Sequence, residues 1–150
     1  MNRQQPTDSI YERAGGTAGI RKVVTVFYAS IFRDPILRPL FDRPVDTHVD
    51  HLTAFLSEVF GGPKRYTNEL GGFPRIIAVH RGRRITPDQR QRFVDLFMTA
   101  LDQVGLGTDA RLRSAIGSCI TFGAEIAMVN SNATTDADLH PQREMPHWHW

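Results

Sequence analysis

Cysteine is nearly absent from this chain of 150 residues: Cys119 is the single one. An internal disulfide is therefore excluded, and a reducing compartment suits the composition. Charge of one sign is lacking too, with 18 Lys and Arg against 16 Asp and Glu and a net charge of +2. The arginines are scattered along the chain instead of gathered on one basic helix, so nucleic acid is not an expected partner. No uninterrupted apolar run is long enough for a membrane span. The opening residues, Met-Asn-Arg-Gln-Gln-Pro-Thr-Asp, have no apolar stretch of the signal-peptide kind. The expectation is a soluble, cytoplasmic protein with no membrane partner. Repeats are missing, and no segment makes a convincing strand.

What is present is helical periodicity. Apolar residues make up 41% of the chain, an ordinary globular value, and the length suits one domain with a sizeable core. Residues 8–13 can make a turn or two of helix before Gly15-Gly16 breaks it. Thr17 is the expected N-cap of a helix through about Phe32, with Ile20, Val23, Val24, Phe27 and Ile31 as its buried stripe and Tyr28 beside it. Asp34-Pro35 resets the chain. The apolar segment Ile36, Leu37, Leu40 and Phe41 is too short for a full helix, and Phe41 sits on its stiff corner.

Asp46 is the expected cap of the next helix, whose Leu52, Phe55, Leu56 and Val59 share a face until Gly61-Gly62-Pro63 stops it. His48 lies four residues before Leu52 and therefore on the same side, whereas His51 points about a quarter turn away, toward solvent or a rim. No Cys or acidic residue stands near either histidine at the spacing of a closed zinc site. Residues 64–72 are polar and include Tyr66. Glycine pairs at three joints suggest helices crossing closely.

Thr86-Pro87-Asp88-Gln89 is a strong helix start: a threonine cap, proline at the first helical position, and glutamine where a capping box needs it. Phe93, Leu96, Phe97, Ala100, Leu101 and Val104 follow at helical spacing. The last long helix starts at Thr108 or Asp109 and carries a wide apolar face that includes Cys119, which reads as buried filler. Residues 131–150 form a polar extension to the 1–130 body. Its end, Met-Pro-His-Trp-His-Trp, holds two tryptophans, unusual for a fully solvated tail, so docking onto the body or a partner is the alternative to a mobile tail.

The informative stretch is Phe-Pro-Arg-Ile-Ile-Ala-Val-His-Arg-Gly-Arg-Arg-Ile, residues 73–85. His80 ends an apolar run that could wall a pocket, and the arginines after it could meet carboxylates at the pocket mouth. A lone histidine in such a setting is more commonly a hydrogen-bonded core residue than a ligand, but a neutral imidazole is also a good ligand for haem iron. The whole reads as an all-α domain of about six segments in which His48 and His80 could face each other across an apolar slot.

That arrangement resembles the truncated haemoglobins, the short two-over-two helical globins of bacteria, over roughly residues 9–130. Tyr-Glu-Arg-Ala-Gly-Gly (11–16) resembles the family's opening glycine motif, and Phe27-Tyr28 its aromatic pair. Asp34-Pro35 through Leu40-Phe41 resembles the corner carrying the haem-packing aromatic. Phe-Gly-Gly-Pro (60–63) with Tyr66 resembles the second glycine motif, and 73–80 the proximal helix. The likeness is closest to the group called II. It departs where that group often has tryptophan, at Phe93, and where it is usually small, at His48. His-Arg-Gly-Arg-Arg-Ile-Thr (80–86) is more like group I.

The resemblance implies a truncated-globin sandwich and a b-type haem with His80 as proximal iron ligand. It implies Tyr28 and His48 on the distal side, lined by Leu52 and Phe55, with Phe41 on the porphyrin and Phe93 among the cofactor-binding residues. Arg83 and Tyr66 would meet the propionates. Dioxygen, nitric oxide and carbon monoxide would be the ligands, a reductase a candidate partner, and the assembly a monomer or homodimer. The expected function is reversible dioxygen binding for transport or storage. The alternatives are nitric oxide dioxygenation, peroxidase-like chemistry with His48 moving protons, or a non-catalytic gas sensor or interaction module whose 131–150 tail contacts a partner. His48 is also a candidate distal iron ligand that would close the site.

Overall fold

The computed structural model describes residues 8–135 and 145–150. Among the described residues there are seven α-helices, two short 3-10 turns and no strand. They run α1 Ile10–Arg13, α2 Gly16–Ile31, α3 Val45–Val59, α4 Arg65–Glu69, α5 Gly72–His80, α6 Pro87–Gln103 and α7 Ala110–Ser131, with the 3-10 turns at Arg38–Leu40 and Leu106–Thr108. The all-α expectation holds. Helices α2 and α3 pack as one pair and α6 and α7 as another, α2 lies on α6, and α5 rests on α7. This is the two-over-two helical sandwich.

The predicted stripes become the core. Val24, Phe27 and Ile31 of α2 and Leu101 of α6 are wholly buried, each contributing about 1.5–3 kcal/mol. The Phe27 ring joins the two layers, meeting Phe93 edge-on at 4.8 Å and Phe97 at 5.0 Å. Such ring pairs add about 0.5–1.5 kcal/mol each beyond the area they bury.

Helix ends follow the sequence unevenly. The Thr86 capping box forms in full, and Asp109 caps α7 by accepting from the Leu112 N–H. Two expected caps do not form. Helix α2 starts two residues early, from Gly15 at φ 92°, and the Thr17 hydroxyl instead pairs with that of Tyr11 at 2.7 Å. Helix α3 starts from Pro44, already extended at ψ 145°, which leaves Asp46 inside the first turn. There its charge favours the helix dipole without capping a specific N–H. The stretch expected as a polar connection contains α4, tied to α3 by buried Glu58, which accepts from the Thr67 N–H at 2.8 Å and from its hydroxyl.

The expected close crossing occurs at the second glycine pair. A Cβ on Gly62 would stand 2.6 Å from the Tyr11 ring, so α1 can cover the end of α3 only if that position has no side chain. At the Asp34 corner the buried carboxylate accepts from the N–H groups of Ile36 (2.9 Å) and Leu37 (3.2 Å) and from Arg92 Nε (2.6 Å). These bonds fix the turn that presents Phe41.

The described end of the chain docks on the body. Met145 is buried, the Trp148 N–H donates to the Val59 carbonyl at 2.8 Å, and Trp150 Nε1 donates to the Asp8 carbonyl at 2.7 Å. Arg13 and Arg111 lie 5.9 and 5.4 Å from the Trp150 ring centre, within cation–π range. Helix α7 is long and apolar enough, by length and composition, to cross a membrane, although Arg111, Arg113 and Glu125 interrupt its apolar run. In this fold Leu112, Ile116, Cys119 and Ile120 give it a core face.

Candidate functional site

Between the α2–α3 pair and α5–α7 lies a cavity of about 360 Å³, within the range of small-molecule pockets. All nine side chains singled out in the sequence line it: Tyr28, Phe41, His48, Leu52, Phe55, Tyr66, His80, Arg83 and Phe93. They come from six parts of the chain: α2, the corner at Phe41, α3, α4, the end of α5 and α6.

Helix α5 positions His80. Phe73 and Ile77 are buried and anchor the helix, and His80, three residues after Ile77, falls on the same side at its last turn. His80 Nδ1 is buried and makes no hydrogen bond of ordinary geometry. Burial holds the ring's pKa below the usual histidine value. The Ile76 carbonyl one turn earlier pulls the other way, and Arg83 adds to the lowering. At neutral pH the imidazole is therefore neutral, the form that ligates a metal.

Across the cavity three aromatic rings form a cluster. His48, in the first turn of α3, stacks on Tyr28 with centroids 5.5 Å apart and planes 26° apart. Phe41 meets His48 edge-on at 5.2 Å and Tyr28 at 5.7 Å. His48 Nε2 is buried with no hydrogen-bond partner. Burial lowers its pKa first, Arg43 and Arg83 add to that, and Asp42 opposes them. Burial alone raises the Tyr28 pKa above the ordinary phenol value, so Tyr28 stays a hydrogen-bond donor.

Phe55 packs edge-on against Tyr66 at 5.5 Å, and Tyr66 is buried in the wall, its pKa raised by burial against the pull of Arg75 and Arg43. The Arg83 guanidinium is largely engaged. Its Nε donates to the Val79 carbonyl at 2.9 Å, Nη1 to the Leu40 carbonyl at 3.0 Å, and Nη2 lies 3.6 Å from Asp42. It clamps the end of α5 to the Phe41 corner. The exposed cations at the cavity rim are Arg43 and Arg75, which the sequence reading did not single out. His51, expected at a rim, is half-buried and also lines the cavity.

Other wall residues went unnoticed as such: Phe122, Gly123, Pro146 and Trp148. Cys119 is buried as expected but borders the cavity as well, and burial pushes its thiol up to about 12.

The donor set limits what can be held. Among the described residues no three His, Cys, Asp or Glu side chains gather to grip a bare metal ion. Single histidines on different helices, one of them (His48) with a buried nitrogen that has no partner, apolar and aromatic walls between them, and arginines at the rim fit a metal carried inside a flat, largely apolar ligand with acidic edges. The residues present therefore fit a haem.

Comparison with known proteins agrees. The family model for bacterial-like globins matches residues 9–128. A group 2 truncated hemoglobin, YjbI of Bacillus subtilis, is 29% identical over 71% of this chain and 80% of its own. The solved hemoglobin of Chloroflexus aurantiacus is 33% identical, covering 81% of this chain and 98% of its own with a TM-score of 0.73. The group II truncated hemoglobin of Bacillus anthracis is 28% identical, covering 89% and 99% with a TM-score of 0.75. Group 1 proteins are also among the matches.

Proposed function

The chain belongs to the bacterial-like globin family, as a truncated haemoglobin, and on that premise we propose that it holds a b-type haem through His80 and reversibly binds dioxygen. Globin-type haem and gas binding is the family's property; the residue assignments are the proposal. A haem would supply an iron able to bind a diatomic ligand.

This chain's residues would do the rest. His80 offers a neutral imidazole whose pKa burial has already lowered, so ligation need not displace a proton at neutral pH. Phe41 and Phe93 supply aromatic surface for the macrocycle, Leu52 and Phe55 exclude water, and Arg43 and Arg75 stand where carboxylates would reach solvent. Tyr28 and His48 offer the hydrogen bonds on the opposite side. In a dry pocket each is worth about 1–3 kcal/mol to a ligand that gains negative charge.

The observation that carries this reading is that His80 and His48, on different helices, border one apolar cavity, the His80 ring steadied by the Ile76 carbonyl and His48 Nε2 buried with no hydrogen-bond partner. A buried polar atom without a partner costs free energy unless a ligand or water satisfies the group. Absorption spectra of the purified protein, oxidised, reduced and with carbon monoxide, test it. Globin spectra with a carbon monoxide shift are expected, and a protein that takes up no hemin would defeat the reading. The unpartnered His48 Nε2 also supports a second arrangement, in which His48 as well as His80 would hold the iron. A low-spin spectrum in the oxidised state, lost in His48→Leu, would mark it.

A further inference from the structure

Helix α3 ends on a carbonyl that its own chain continuation cannot satisfy. In its last turn the Leu56, Ser57 and Glu58 carbonyls accept from the N–H groups of Phe60, Gly62 and Gly61 at 3.0, 2.7 and 3.1 Å. The Val59 carbonyl would take the N–H four residues on, but that residue is Pro63, which has none. Val59 is buried and borders the cavity, so an unmet acceptor there is costly. The donor comes from the far end of the chain: the Trp148 N–H reaches this carbonyl at 2.8 Å.

That bond seats a strap, residues 145–150, on the cavity wall, where Pro146 and Trp148 become lining residues. Exposure alternates along it. Pro146, Trp148 and Trp150 are half-buried, while His147 and His149 are exposed, the period of an extended chain laid on a surface. Trp148 is tied by its backbone to the end of α3, and its ring leans on Phe122 of α7, centroids 5.4 Å apart and planes 42° apart. Helix α3 packs on α2 and α4, and α7 on α5 and α6, so the strap joins helices from different layers. Both its ends are pinned. Met145 is buried, and Trp150 Nε1 donates to the Asp8 carbonyl at 2.7 Å with Arg13 and Arg111 against its ring.

We propose that the 145–150 strap is part of the cofactor site, with Pro146 and Trp148 closing the wall between α3 and α7 and slowing release of the flat aromatic ligand the cavity holds. The proposal rests on the haem reading above and extends the site beyond residues 9–128, which the family model matches. The indole covers apolar ligand surface that water would otherwise reach, and removing it makes departure easier.

Transfer of hemin from the full-length holoprotein to an excess of a haem-scavenging protein measures release. Trp148→Ala should speed it about tenfold, equivalent to about 1.4 kcal/mol. Trp148→Phe, a smaller step that keeps an aromatic ring, should speed it about threefold, and it decides should Trp148→Ala fail to fold. A tryptophan that only stabilises the fold would lower the unfolding midpoint and leave the release rate alone. Release no faster than wild type in the folded variants would therefore overturn the proposal. A second probe does not need haem. Both tryptophans of the chain lie in the strap, so energy transfer from them to anilinonaphthalene sulfonate, an apolar dye, reports the dye in the cavity of the haem-free chain. Trp148→Phe keeps Trp150 as donor and should weaken dye binding about threefold. Absence of hemin uptake by the wild type, with dye binding still weakened in Trp148→Phe, would defeat the haem reading and leave the strap standing. Dye binding indifferent to the substitution would overturn the strap.

Discussion

Replacing Tyr28 by phenylalanine removes one oxygen atom and little else. The Tyr28 ring is held by Phe27 at 5.2 Å, Phe41 at 5.7 Å and His48 at 5.5 Å, and those contacts survive in Tyr28→Phe. Burial raises its pKa, and none of the hydrogen bonds seen among the described residues involves the hydroxyl. Fold stability should stay within about 1 kcal/mol, or rise slightly, because a buried hydroxyl without a protein partner is lost. The effect should appear where the ligand sits. One donor in a dry pocket is worth about 1–3 kcal/mol, so dioxygen should leave roughly five to 150 times faster. His48→Leu should act similarly. Because the two rings stack and face one ligand, the double variant should deviate from the product of the single effects. Stopped-flow displacement of dioxygen by carbon monoxide measures each rate. Dissociation unchanged in both single variants would refute the distal role of this pair.

Other outcomes follow from the geometry. Asp34→Ala should destabilise the protein by about 2–4 kcal/mol in chemical denaturation, since two backbone N–H groups and Arg92 lose a buried acceptor. Burial raises the Asp34 pKa, but Arg92 and the Ile36 and Leu37 N–H groups outweigh it and the net shift is downward; its contribution is thus complete above the ordinary carboxylate range and fades as pH falls toward the lowered value. For His80 the lowered pKa means that the unfolded chain binds the proton first, so the haem-free protein should lose stability as pH drops below about 6.5, and less so in His80→Leu. Glu58→Ala should loosen α4 and speed hydrogen exchange at the Thr67 amide while leaving α6 protected.

Much of the site was legible because it sits on periodic segments. His80 follows Ile77 by three residues and His48 precedes Leu52 by four, so helix geometry alone aims both inward once their helices are recognised. The Asp34-Pro35 corner announced where Phe41 would stand. The misses have local causes. Thr17 looks like a cap, but the glycine at position 15 takes a left-handed conformation and starts the helix earlier. Asp46 looks like a cap, but the extended Pro44 begins the turn before it. Helix α4 has too few apolar residues to show a period; Glu58, far back on α3, is what fastens it. Arg43 and Arg75 reach the rim, while the more suggestive Arg83 spends its donors on the Val79 and Leu40 carbonyls. The role of Trp148 in the cavity wall depends on a contact across 26 positions with Phe122, which no local pattern encodes.

The central claim is that His80 carries the haem. Titrating hemin into wild-type protein and into His80→Ala, and recording the reduced and carbon monoxide spectra of each, tests it most directly. The account predicts saturable uptake with a globin spectrum for the wild type and loss of most of that affinity in the variant, with small added imidazole restoring the spectrum. Normal hemin affinity and an unchanged ferrous spectrum in His80→Ala would contradict it.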